Sequence, residues 1–172
     1  MTSSGPYSQS YNFTHMFDFN DYNGPLPKVL PCPNSLLSIV NNNPDFSIFK
    51  FMVYRARLES FLNSIQANFT IFIPSDKHLL RKVDKDIFTN MDILTARSIV
   101  KTSMLNDRIS SEVLGDSPAA YYYTTEPSNR LFITNINGDT IINDYIKIIK
   151  KDVLLSNGIV HVIDGLIIQF II

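Results

Sequence analysis

Few residues in this chain could do chemistry, and their spacing decides most of what they can do. His161 and Asp164 stand three apart in "IVHVID", and Ser75 and Asp76 follow Pro74 in "IPSDKH". A serine, a histidine and an aspartate drawn from such distant segments are the parts of a nucleophilic triad. The local pattern argues otherwise. "IVHVID" alternates as a strand, which puts His161 on one face with Ile159 and Ile163 and Asp164 on the other with Val160 and Val162. A histidine among isoleucines is expected to be buried and hydrogen-bonded. Ser75 and Asp76 open a helical stretch, where side-chain oxygens cap free backbone N–H groups. His78 is expected to face solvent, and His15 lies in the N-terminal stretch. The sequence contains no Gly-x-Ser-x-Gly elbow, no His-Glu-x-x-His, no phosphate-cradling glycine loop and no EF-hand spacing. Cys32 is the single cysteine, which excludes an intrachain disulfide and a cysteine-type zinc site. The expectation is a protein without catalytic residues, cofactor or metal.

Composition narrows the classes further. The 172 residues suit one domain with an appendage, and 45% hydrophobic content supports a core without staples. A net charge of −1 without a basic run is a poor footprint for nucleic acid. The densest basic cluster, Lys147, Lys150 and Lys151, reads as a solvated face. No apolar run reaches membrane-spanning length, so membrane insertion is not expected. The N-terminal residues lack a basic start followed by an apolar run, so no signal peptide is read and an intracellular or particle-associated location is favoured. With 22 isoleucines and 16 asparagines, the chain has the bias of an AT-rich genome, as in protists or large DNA viruses.

The elements that must position these residues fall into two halves. Residues 1–33 carry Pro25, Pro27, Pro31 and Pro33 without helical or strand period, and read as an arm with an extended connector. The arm is rich in aromatics (Tyr7, Tyr11, Phe13, Phe17, Phe19 and Tyr22), which a free tail avoids. It is therefore expected to pack on its own domain or on a neighbouring chain. Residues 34–172 form the domain. Asn34 or Ser35 caps a first helix, Asp45 or Ser47 begins a second, and Leu58, Phe61, Leu62 and Ile65 mark a third. "NFTIFIP" is a strand, and short helical turns follow in "SDKHLLRKV" and "DKDIFTN". A longer helix at about 91–104 is expected to show Ile93, Ala96, Val100 and Met104 on one face. Beyond residue 108 the period changes to two. "AYYYTT", "RLFITN", "TIIND", "YIKIIKK", "GIVHVID" and "LIIQFII" read as strands, with an Asn137-Gly138 hairpin turn. Helices first and strands later predict an α+β fold.

Three segments resemble the signatures of the fasciclin domain. "FTIFIPSDKHLL" is similar to the first, Thr-Val-Phe-Ala-Pro-Thr-Asn, through Thr70, Phe72, Pro74, Ser75 and Asp76. "SNGIVHVIDGLII" resembles the second, Asn-Gly-Val-Val-His-Val-Ile-Asp, through Asn157, Gly158, Val160, His161, Val162, Ile163 and Asp164. "IVKTSMLNDRIS" falls where the family has Leu-Lys-Tyr-His-Val-Val-Pro-Gly, but Thr102 and Ser103 replace the Tyr-His pair, so no role of that pair carries over. The likeness spans about residues 34–169. It implies a fasciclin-like fold: a helical layer from the N-terminal half on a β-sheet wedge formed mostly by the C-terminal half. It also implies that His161 ties the two signature segments together.

For function the resemblance implies a non-enzymatic adhesion or protein–protein interaction module. In adhesion members an Asp-Ile element just upstream of the second signature engages integrins. Asp152 and Val153 hold that place here, where an exposed carboxylate could complete a receptor's metal coordination. The plainer expectation is that Asp152 caps a short turn before Asn157. The turn itself is expected to use the tolerance of Asn157 and Gly158 for positive φ. A second functional expectation is a structural or assembly protein, such as a virion component, whose arm straps across another copy through Tyr7, Tyr11, Phe13, Phe17 and Phe19. A hydrolase or small-ligand binder comes third, and would require Ser, His and Asp gathered in a cleft.

Overall fold

The computed structural model describes residues 29–168. The arm's aromatic residues, Tyr7 to Phe19, lie outside this range, as do residues 169–172. The helical half comprises α1 (Leu36–Asn42), a 3-10 turn (Pro44–Phe46), α2 (Ser47–Arg55), α3 (Glu59–Leu62), α4 (Asp76–Leu79), α5 (Asp86–Thr89) and α6 (Ile93–Thr102). A further short helix, α7 (Ser111–Leu114), was not expected from the sequence. Ser35 caps α1 by accepting from Ser38 N at 3.1 Å, while Asn34 adopts a left-handed φ of 56° in the preceding turn. Asp92 caps α6 through Thr95 N at 2.7 Å. Helix α6 buries Ala96, Ile99 and Val100. Ile93 turns outward, and Met104 has already left the helix for a strand.

The strands are β1 (Phe69–Pro74), β2 (Met104–Leu105), β3 (Ala119–Tyr123), β4 (Arg130–Ile136), β5 (Asp139–Ile142), β6 (Ile146–Leu155) and β7 (Gly158–Ile163). They form one mixed sheet in the order β2-β1-β7-β6-β5-β4-β3. The architecture is α+β. The two segments that carry the family likeness are hydrogen-bonded neighbours, β1 and β7, running parallel from Phe69 opposite Gly158 to Pro74 opposite Ile163. Every residue of both strands is buried, as expected for parallel strands covered on both faces. Asn137 and Gly138, at φ 53° and 86°, make the predicted turn between β4 and β5. The strand expected in "LIIQFII" is absent over Leu166–Ile168, which are irregular; its remainder lies outside the described residues.

Each face of the central pair has its own core. Ile71, Ile73, Val160 and Val162 pack against the helical layer, with Leu37, Phe49, Met52 and Val100. Phe72 and Ile163 point the other way, onto Leu131, Ile133, Ile142, Ile146 and Ile148. Residues of one continuous sheet can meet like this only if the sheet curls. The curl falls in β6, whose register shifts between Ile148 and Lys150 and between Lys150 and Val153. Bulges of this kind bend a strand and raise its twist.

Candidate functional site

The seam between β1 and β7 begins at Asn157 and Gly158. Neither residue has positive φ, which corrects the expectation that the pair is used for a left-handed turn. Gly158 is required for a different reason: a Cβ there would lie 2.4 Å from Phe69 O and 3.1 Å from Leu36 Cδ1. The side chain of Asn157 is fully buried and spans three segments. Its Oδ1 accepts from Leu36 N at 2.8 Å, and its Nδ2 donates to Leu62 O and Ser64 O at 2.8 and 3.0 Å. Asparagine suits this place because it offers an acceptor and two donors at once.

His161 sits beside Phe72 on β1, with ring centroids 5.7 Å apart, and has no exposed surface. Its Nδ1 accepts from Asp152 N at 3.2 Å, so the proton resides on Nε2, which donates to Ile109 O at 2.8 Å. Burial pulls the imidazole below its ordinary pKa, against the opposing pull of the Ile109 carbonyl and the Asp152 carboxylate. His161 makes no hydrogen bond to Asp164. That residue instead accepts from Lys147 N at 2.9 Å and pairs with Lys82 at 3.4 Å, tying β6 to β7 beyond their last ladder bond. The Ile109 loop is held again by Thr70, whose Oγ1 donates to Asp107 O and accepts from Ile109 N at 2.7 Å. Arg108 completes the clamp by donating to Asn68 Oδ1 and Leu155 O at 2.8 and 3.0 Å. No pattern in the sequence singled out Arg108.

Asp152 lies within β6 at the bulge, with φ 60°. It does not cap a turn before Asn157, because no helical turn exists there. Its carboxylate accepts from the backbone N (2.8 Å) and the hydroxyl of Ser111, and so caps α7 from another element. Burial alone would raise its pKa. The two Ser111 hydrogen bonds, with the charge of Lys151, outweigh that and hold the carboxyl below its ordinary value. Val153, next along, is half-buried against the helical core.

A second polar cluster joins the start of α2 to the end of β1. Asp76 is the first residue of α4, but its carboxylate reaches across to α2, accepting from Ser47 N and Ile48 N at 3.0 Å each and from the Ser47 hydroxyl. Asp45, just before α2, reaches back to α4, accepting from Ser75 Oγ at 2.6 Å and Lys77 N at 3.1 Å. Each acidic residue thus caps the other's helix, which corrects the simpler idea that Ser75 and Asp76 cap their own. Burial pushes the Asp76 carboxyl up to about 6, against the lowering effect of the Ser47 and Ile48 hydrogen bonds.

The same cluster brings together a serine, a histidine and an aspartate, though not the three expected. His78, half-buried rather than fully solvent-facing, places Nδ1 3.1 Å from Ser75 Oγ. The order is wrong for a nucleophile. Ser75 directs its proton to Asp45, so His78 can only donate to the hydroxyl, and no carboxylate orients the imidazole as a base. Beside the cluster a groove of about 240 Å³ opens, bordered by Ile39, Phe46, Lys77, Lys150, Val153 and Val162. Thr102 and Ser103 are buried, bonded to Asn129 and Ile99 O at 2.9 and 2.8 Å. Among the described residues no His, Cys, Asp and Glu side chains gather to hold a metal ion, and no helix is long and apolar enough to cross a membrane.

Comparison with known proteins assigns the domain built on this parallel seam to a class. The family model of the fasciclin domain matches residues 44–169, and the chain belongs to that family. Among solved structures, a FAS1 domain pair from the insect cell adhesion molecule fasciclin I is similar, with a TM-score of 0.68 and 22% identity. The match covers 87% of this chain and 54% of that one, so the chain spans about half of the pair. At that identity the likeness concerns the fold. No curated protein matches the chain by sequence.

Proposed function

We propose that the protein is a protein–protein interaction module of the adhesive fasciclin kind, with no catalysis of its own. The observation that carries this is how the chemically able groups are used. Both nitrogens of His161 hold backbone groups, Asp76 and Asp45 cap helices, and the Ser75 hydroxyl is committed to Asp45. A serine nucleophile of the triad kind needs an imidazole that accepts its proton, and the Ser75 hydroxyl gives its proton to the Asp45 carboxylate instead. Membership of the fasciclin family, and a structural neighbour that comes from a cell adhesion molecule, support contact with other proteins as the output.

Asp152 and Val153 serve this reading in a qualified form. The carboxylate already binds Ser111, so a receptor's metal ion would have to displace that serine first. Val153 borders the groove and offers the apolar half of a contact. The test combines two measurements on the full chain. Adhesion of cells to surfaces coated with the protein is expected and should survive Ser75→Ala. Turnover of p-nitrophenyl acetate is expected to stay at the level of free imidazole. Ester hydrolysis that depends on Ser75, without adhesion, would overturn the proposal.

A further inference from the structure

The two edges of the sheet are built differently. β2, at one end, has only two residues, and both are buried. β3, at the other end, runs for five residues, "AAYYY", with alternate positions exposed. Sheet edges are usually closed to other strands by a lysine, a proline, a bulge or a very short strand. β3 has none of these. It carries no charge and no proline, and its register with β4 is unbroken from Ala119 opposite Thr134 to Tyr123 opposite Arg130. The hydrogen bonds that flank this ladder show which way its backbone points. Asn135 N donates to Pro118 O, and Thr124 N donates to Asn129 O, both at 3.0 Å. The even-numbered residues therefore face β4, and Ala119, Tyr121 and Tyr123 turn their N–H and C=O groups to the outer edge. Among the described residues nothing bonds to those groups.

The side chains of this edge match one strand in particular, its own reverse. In an antiparallel pair of β3 strands about a two-fold axis at Tyr121, Ala119 stands opposite Tyr123 and Ala120 opposite Tyr122. A small side chain then meets a ring on each face of the sheet, and only at the axis does tyrosine meet tyrosine. An unrelated strand would share the backbone bonds but not this matching. The same register uses every outward residue, since Ala119, Tyr121 and Tyr123 each both donate and accept. Sliding the pair by two residues leaves one end of the ladder unmatched. Tyr121 is 54% exposed, yet its ring is already fixed, 5.0 Å from the Phe132 ring and covered by the Arg130 guanidinium at 4.0 Å. A side chain held in this way loses little freedom on association. The net charge of −1 adds little repulsion between copies.

We infer that β3 pairs with β3 of a second copy of this chain, antiparallel and centred on Tyr121, so that one sheet runs through both domains. A strand edge of this length buries well under the roughly 800 Å² per partner of a standard complex, which sets the dimer dissociation constant near roughly 100 μM. The inference names a partner for the interaction module proposed above, but its test reads mass and not adhesion, so either can fail alone. In sedimentation equilibrium the full chain should pass from mostly monomer at about 5 μM to mostly dimer at about 500 μM. Tyr121→Lys and Tyr121→Glu should each weaken the dimer at least about tenfold, because like charges then meet at the axis. An equimolar mixture of the two variants should recover most of the association, because opposite charges then meet there. Ala119→Glu combined with Tyr123→Lys sets opposite charges across both ends of the ladder. It should dimerise at least as well as the native chain, and it keeps the test open if a Tyr121 variant fails to fold. A native chain that stays monomeric throughout overturns the inference and leaves the edge to a strand of another protein. Undiminished dimer in either folded Tyr121 variant, no recovery in their mixture, or loss of dimer in the double variant also overturns it.

Discussion

Two polar clasps hold the central strands, one on each side of the sheet, and they obey opposite charge logic. On the helical side, Asp76 and Asp45 exchange caps between α2 and α4. On the other side, a neutral His161 holds the Asp152 bulge and the Ile109 loop. Both groups are buried, and burial always disfavours the charged form. For the carboxylate the charged form is also the one that best accepts two backbone N–H groups and a hydroxyl, so burial and bonding oppose each other. For the imidazole the neutral form is the one whose nitrogens match an acceptor and a donor, so burial and bonding agree. The comparison teaches that the His161 clasp is the firmer of the two near neutral pH and that the Asp76 clasp carries a cost there.

Breaking what the clasps share should have the largest effect. Gly158→Ala drives a methyl group into Phe69 O and separates β1 from β7. It is expected to cost about 4 kcal/mol or more, read as loss of a cooperative urea transition. His161→Ala comes next. It opens a cavity and strands both Ile109 O and Asp152 N, for roughly 3–5 kcal/mol by chemical denaturation. Asp76→Ala should cost less, about 2 kcal/mol, because Ser47 can still turn to water. Equal losses for these two variants would contradict the ranking of the clasps.

The finest test uses pH. Asp76 has its pKa raised in the fold, so its contribution is fully present below about 4 and is lost as pH rises through about 6. His161 has its pKa lowered, so its contribution is present above about 6.5 and is lost as pH falls. In the native chain the two trends oppose each other between about 4 and 6.5. Asp76→Asn should leave the histidine alone and steepen the loss of stability toward acid, while His161→Gln should flatten or reverse it. Melting temperatures across that window decide the matter, and parallel curves for the two variants would refute the assignment.

Much of the fold was legible because period and burial agree. The alternation in "GIVHVID" placed His161 and Ile163 on one face and Val160 and Val162 on the other, and the two cores divide along that line. The Asn137-Gly138 hairpin was legible because positive φ is a local demand that two residue types meet. The site was legible only in part. Asn157-Gly158 looks like the same kind of turn, yet its demands are tertiary: a backbone approach at Phe69 and three distant partners. The crossed caps escaped notice because Asp45 and Asp76 each stand beside a helix start of their own, and one-dimensional spacing cannot show that they exchange. Asp152 reads as a turn residue because its partner Ser111 lies about forty residues away, beyond any local pattern.

The parallel pairing of β1 with β7 also governs how the molecule is made. Its central rungs join residues about ninety positions apart, so the middle of the sheet closes one of the longest loops in the domain. Loop-closure entropy grows slowly with length, but it must be spent before any of these contacts form, and non-local pairing slows folding. Until β7 is synthesised, β1 presents "FTIFI" with neither a parallel neighbour nor a finished core. A nascent chain must keep that apolar strand from meeting others, and yield on expression should depend on how long it waits.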